Sequence, residues 1–301
     1  MEEIKPIKIN KDLKVTNLVG QMANAGFGAR KIGLANGIAE KMFSNKECKI
    51  FLGLAGAMVP AGMKQIIIDL IKTKKITVLV TTGANLTHDL IEAIGEKHYH
   101  CDSWNDEDFN KKGYDRIYNV LMKNKVYENL EVFFEKNWQE IAQTKNIKEF
   151  LLKIGSLLPK ESNSILRACY DENVQLYCPA IADSGIGLMI WGRLAQGKKI
   201  NIDTFEDMKE IIDTAWTSKT KGIIYIGGGT PKNFIQQSLQ FSSGANYGIQ
   251  ITTDTPAGGG SSGAPLEEGK SWGKLKLNAD YIDVNCDATI ALPLIFSSIV
   301  K

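Results

Sequence analysis

Residues Thr252 to Lys274 read TTDTPAGGGSSGAPLEEGKSWGK. Within eight residues, Glu267, Glu268, Trp272 and Lys274 supply two carboxylates, one indole face and one amine. Carboxylates beside an aromatic face suit a cationic guest. A desolvated lysine can lose its proton and attack an imine or carbonyl carbon. The Gly-, Ser- and Pro-rich run before them has few side chains of its own. It can turn backbone N–H groups toward a phosphate or carboxylate. The plain alternative is a mobile surface loop followed by a strand.

Two further stretches carry chemistry. Gly222-Ile-Ile-Tyr-Ile runs straight into Gly227, Gly228 and Gly229, and Thr230, Pro231 and Lys232 then open a helix. The glycines let a pyrophosphate approach the backbone, and the helix N-terminus favours negative charge. VQLYCP, residues 174–179, ends in Ala180-Ile-Ala-Asp183-Ser-Gly185-Ile-Gly187. An Asp at a strand end before two glycines is placed for a ribose hydroxyl or an amine. Asp287 stands before the last helix, where it can cap that helix, touch a ligand, or do both.

These residues need a scaffold, and the chain spells one out. Lys49–Ala55 and Ile76–Thr82 read as buried strands, each followed by a Gly-containing turn and a helix, from about Gly62 to Lys72 and from near Thr87. Residues 174–179, 222–226 and 247–253 read as further strands, with helices at 164–172 and 205–216 and another opening at Thr230. Repeated strand–turn–helix order predicts βαβ units on a parallel sheet, with ligands beyond the carboxyl ends of the strands. Gln21–Lys41 has the spacing of one helix with a small-residue face. Residues 97–160 predict a long excursion, helical over 125–158. After Lys274 the pattern predicts a short strand at Lys276–Leu277, a turn at Asn278–Asp280, a strand at Tyr281–Asn285 and a last helix from near Ile290.

Composition narrows the class. The 301 residues carry 36 basic and 34 acidic side chains, a balance that gives nucleic acid no basic surface to bind. The five cysteines, scattered and without a C-x-x-C pair, fit a reducing cytosol. His98, His100 and Cys101 lie close together but lack a regularly spaced fourth ligand, so no metal is expected. No apolar run reaches membrane-spanning length. The expectation is a soluble cytoplasmic protein.

The segment SGAPLEEGKSWGKL resembles the active-site signature of the deoxyhypusine synthase family. Four stretches extend the resemblance in chain order, from about Asn17 to Phe296: FLG before a helix, VLVTTGANLTHDLI, the Pro-Ala-x-x-Asp turn at 179–183, and the GGG turn. Asp287-Ala288 is similar to the family's Asp-Ala. The resemblance implies a Rossmann-like α/β fold, a parallel sheet flanked by helices forming one domain over residues 1–301. It implies NAD as cofactor, usually a homotetramer with active sites at subunit interfaces, and a transferase of alkyl groups. The butylamine part of spermidine would pass through an imine on Lys274 to an acceptor amine. That acceptor is a lysine of a translation initiation factor 5A type protein or a small amine. By the same match Glu268 and Trp272 line the polyamine tunnel, with Ser262, Asn233 and His88 at substrate positions. Thr81, Thr82, Asp183, Gly227, Gly228, Gly229, Thr253, Asp287 and Ala288 would contact NAD.

The chain departs from the family pattern at four places. Thr87 and His88 stand where many members have an acidic pair, and Leu188 where some carry a carboxylate. Asn233 replaces the catalytic histidine, and Ser261 replaces an aspartate. These departures point to a divergent branch with altered polyamine selectivity. Its alternatives are a homospermidine synthase-like enzyme and an NAD-binding member without activity.

Overall fold

The computed structural model describes residues 1–300. Nine strands follow in chain order: β1 (Cys48–Leu54), β2 (Ile76–Thr81), β3 (Tyr99–His100), β4 (Tyr114–Ile117), β5 (Val120–Lys123), β6 (Gln175–Tyr177), β7 (Thr220–Ile226), β8 (Ala245–Thr252) and β9 (Leu275–Asn285). Six of them form one sheet in the order β6-β2-β1-β7-β8-β9, and every neighbouring pair is parallel. Numbered among themselves, these six strands stand in the order 3-2-1-4-5-6, that of dinucleotide-binding sheets. The order reverses between β1 and β7, so the crevice beyond their carboxyl ends is where a ligand belongs.

Both faces of the sheet are covered, which explains the unbroken apolar runs of its strands. Alternate residues point to opposite faces. Ile50, Leu52, Leu54, Ile224 and Ile226 pack into one core with Met42 of helix Phe27–Ser44. Phe51, Val78, Val80, Ile223 and Tyr225 pack into the other, with Ile235 and Leu239 of helix Gly229–Leu239. That second helix packs over β1 and β2, and its N-terminus opens on the crevice.

Three local expectations are corrected. The helix expected over 21–41 is two helices, Val15–Met22 and Phe27–Ser44. Phe27 has φ 53°, and the chain reverses so closely that a Cβ on Gly33 would fall 2.2 Å from Ala23 N. The expected pair of short strands with a turn at Asn278–Asp280 is one strand, β9. Ala245 pairs with Leu275 and Tyr247 with Asp280, so the extra residues bulge out of the ladder instead of turning back. The excursion at 97–160 carries a small antiparallel sheet, β3-β5-β4, besides helices Val126–Ile141 and Ile147–Leu157. No helix among the described residues is long and apolar enough to cross a membrane.

Candidate active site

The Gly-rich turn after β7 adopts the backbone only glycine takes easily: Gly227 has φ 70° and Gly229 φ 57°. Gly228 between them is required by crowding, because a Cβ there would sit 2.3 Å from Ser262 Cα. The Gly229 N–H donates to Ser262 Oγ at 2.8 Å. These residues line a cavity of about 390 Å³ at the β1/β7 switch point. Ala55 and Gly56 after β1, Thr253 after β8, and Asp287 and Ala288 after β9 complete its wall. Asp287 caps the final helix by accepting from Thr289 N at 2.7 Å. Those hydrogen bonds from Thr289 hold its carboxyl below the usual aspartate range, so it stays ionised. Asp287 thus caps the helix and lines the cavity at once. A glycine turn at a helix N-terminus fits the pyrophosphate of a dinucleotide, with Ser262 Oγ holding the Gly229 N–H beside it.

A second cavity of about 470 Å³ holds the other group of predicted residues. Lys274, Glu268, Trp272, Asn233 and Ser261 meet there. Glu268 opens the single helical turn Glu268–Ser271, which the sequence pattern did not show. Gly273, at φ 69°, then turns the chain into β9. This places Lys274 Nζ 5.0 Å from the centre of the Trp272 ring. Burial pushes the Lys274 amine below its ordinary value, and the Glu268 carboxylate opposes that shift. The result is an amine closer to its neutral, nucleophilic form than a solvated lysine. Lys276, the rival candidate, acts on Lys221 at the start of β7 and does not line the cavity.

The remaining predicted residues lie elsewhere. Thr81 is 1% exposed and donates its hydroxyl to Leu54 O at 2.9 Å, tying the ends of β1 and β2 together. Thr82 caps helix Gly83–Ala93 by accepting from Asn85 N. Asp183 is exposed beyond the end of the edge strand β6, outside the switch-point cavity. Ser262 faces the dinucleotide-type cavity, not the one that holds Lys274. Leu188 lies on an exposed apolar helix face away from Lys274. The sequence reading missed Gln236, Gln237 and Gln240. They share the Lys274 cavity with Asn233, and their i, i+3, i+4, i+7 spacing marks one helix face.

His88 joins neither cavity. Its Nδ1 lies 2.9 Å from His98 Nε2, and His98 Nδ1 lies 2.8 Å from Glu92 Oε1. Glu92 also pairs with Lys64. Burial, aided by the adjacent His98, pushes the His88 imidazole down to about 4. A histidine depressed below its unfolded value of about 6.5 stabilises the fold least when protonated. Stability should therefore fall as pH drops from 6.5 to 4. The His88 contribution to that fall is up to about 3 kcal/mol. His88→Gln is expected to flatten this acid limb in urea titrations across the window. An unchanged slope in the variant would contradict the assignment.

Comparison with known proteins agrees with this fold. The family model described as deoxyhypusine synthase matches residues 17–299. A probable deoxyhypusine synthase of Methanosarcina thermophila is 41% identical over 299 residues, covering 98% of this chain and 94% of the relative. Probable deoxyhypusine synthase 2 of Archaeoglobus fulgidus is 43% identical over 283 residues, covering 91% and 94%. A solved structure of a deoxyhypusine synthase candidate from Entamoeba histolytica superposes with a TM-score of 0.71 at 18% identity, covering 99% of this chain and 98% of that one. The chain belongs to the deoxyhypusine synthase family.

Proposed function

We propose that this protein is an NAD-dependent aminobutyl transferase acting on spermidine or a related polyamine. The observation that carries the reading is the pairing of two cavities. One holds Lys274, Trp272 and Glu268, the other the Gly227–Gly229 cradle, and the stretch 261–264 borders both. NAD, when bound, would supply the acceptor for a hydride and later return it.

The chain's own residues divide the remaining work. Glu268 holds a cationic amine by charge-assisted hydrogen bonding. Trp272 packs against the methylene chain and, with the cavity wall, keeps water from the reacting carbon. Once the carbon beside the secondary amine of spermidine is oxidised to an imine, the neutral Lys274 amine attacks it. The C–N bond to the propylamine part breaks, 1,3-diaminopropane leaves, and Lys274 carries the butylamine group as an imine. An acceptor amine then displaces Lys274, and reduction of the new imine gives the product.

Among the side chains lining the Lys274 cavity, Glu268 is the one carboxylate, and Asn233, Gln236, Gln237 and Gln240 are neutral amides. Each carboxylate facing an ammonium contributes about 1–3 kcal/mol. A wall of amides therefore holds the ammonium groups of a polyamine less tightly than a wall of carboxylates, which supports a polyamine selectivity altered from the family's standard activity. The assembly proposed is the family's homotetramer, for which light scattering is the check. Purified protein with NAD and labelled spermidine is expected to release 1,3-diaminopropane. Small diamines should be aminobutylated at least as well as an initiation factor 5A type protein. No diaminopropane with any acceptor would sink the reading. Strong preference for the protein acceptor would restore the standard activity.

A further inference from the structure

The stretch 261–264 is the wall shared by the two cavities. Ser262 faces one, and Ser261 and Ala264 face the other. The wall belongs to no helix or strand. It lies in turns between the 3-10 turn Pro256–Gly258 and the helical turn Glu268–Ser271. Its backbone is held by side chains of one neighbouring helix and two strands. Lys232 Nζ donates to Ser261 O at 2.5 Å and to Ala264 O at 2.6 Å. Gln250 Nε2 donates to Ala264 O at 3.0 Å, and the Asp283 carboxylate accepts from Leu266 N at 3.1 Å.

Lys232 is the unusual member of this set. A lysine only 1% exposed is costly to bury, and this one spends its donors on two peptide carbonyls. Asp283 and Glu268 act on it only through space. Burial pushes its amine down to about 8, a cost that the fold bears at this position. It reaches the wall from the first turn of the helix whose N-terminus faces the dinucleotide-type cavity. One residue thus links that helix to the boundary of the Lys274 cavity.

We propose that Lys232 is the positioning residue that fixes the wall between the two cavities, and with it the spacing between hydride carrier and amine carbon. This rests on the reading of the two cavities given above. Transfer between bound partners is steep in distance, and a misplacement of about 1 Å costs on the order of 100-fold. Lys232 therefore acts on the hydride step and not on the affinity for either partner.

Lys232→Met keeps the side chain's length and removes its donors. At saturating NAD and amine, single-turnover NADH formation is expected to fall about 30- to 100-fold, with both Kd values within about threefold of wild type. The backbone amide of Leu266, which donates to Asp283, should exchange with solvent about tenfold faster, while those of β7 and β8 stay protected. Gln250→Leu removes another donor to the Ala264 carbonyl, and a smaller change of the same pattern is expected. Lost affinity with an unchanged hydride step, or unchanged exchange at Leu266, would overturn the proposal. Should Lys232→Met not fold, unchanged Leu266 exchange in Gln250→Leu overturns it equally. If the wild-type protein forms no NADH with any amine, the functional reading fails, and the exchange data still decide whether Lys232 holds the wall.

Discussion

Replacing Lys274 with arginine is expected to abolish aminobutyl transfer. Arginine keeps the positive charge over the Trp272 ring but stays protonated at any working pH and forms no imine. The loss should reach at least about three orders of magnitude, as when a nucleophile is removed from a site that still binds its substrate. Oxidation of the polyamine does not use the lysine nitrogen, so an NADH signal should partly survive. Following NADH absorbance and labelled product in one reaction separates these steps. Lys276→Arg is the control. Lys276 lies beyond the cavity, near Lys221, and its exchange should leave transfer within about twofold, as surface substitutions usually do. Comparable losses in both variants would mean that the two lysines are interchangeable.

The second large effect is expected at Gly228. A Cβ there meets Ser262 Cα at 2.3 Å, and Ser262 Cβ and Oγ at 2.8 Å. Even alanine must push the wall away and break the hydrogen bond from Gly229 N to Ser262 Oγ. Gly228→Ala is expected to weaken NAD binding about 100-fold by calorimetry, equivalent to about 2.7 kcal/mol. Gly192→Ala is the matched control, since a Cβ at Gly192 meets nothing within 4 Å. Undiminished NAD affinity in Gly228→Ala would remove the switch-point cavity as the cofactor site.

Much of this architecture was legible in the chain because burial on both faces writes a plain pattern. Residues 49–55, 76–82 and 222–226 are apolar without alternation, as strands covered on both sides must be. β9 is hidden from the sequence because none of its residues 276–283 is buried, and a bulge there looks like a turn. The break before Phe27 was hidden because small and apolar residues continue through it at helical spacing. β3, with two residues, is too short to carry any period.

The candidate site was legible where consecutive residues line one cavity. The Glu268–Lys274 segment and the Gly227–Gly229 turn each fell together as expected. What stayed hidden depends on contacts between distant segments. Lys232 bonds carbonyls 29 and 32 residues away, and no local pattern announces that. His88 was placed with the substrate by its position in a motif. Its ring turns instead to His98, ten residues on, and to the Glu92–Lys64 pair behind it. The glutamine face was open to view at its spacing from Asn233, but amides carry no chemistry of their own to draw attention.

The central claim is that Lys274 carries the butylamine group, and borohydride trapping tests it most directly. Wild-type protein is incubated with NAD and spermidine labelled in its butylamine part, without acceptor, then reduced and digested. Peptide mapping is predicted to place one labelled butylamine on Lys274, with none on the Lys274→Arg variant. Label on Lys276 or Lys232, or no covalent label while diaminopropane is still released, would contradict the account.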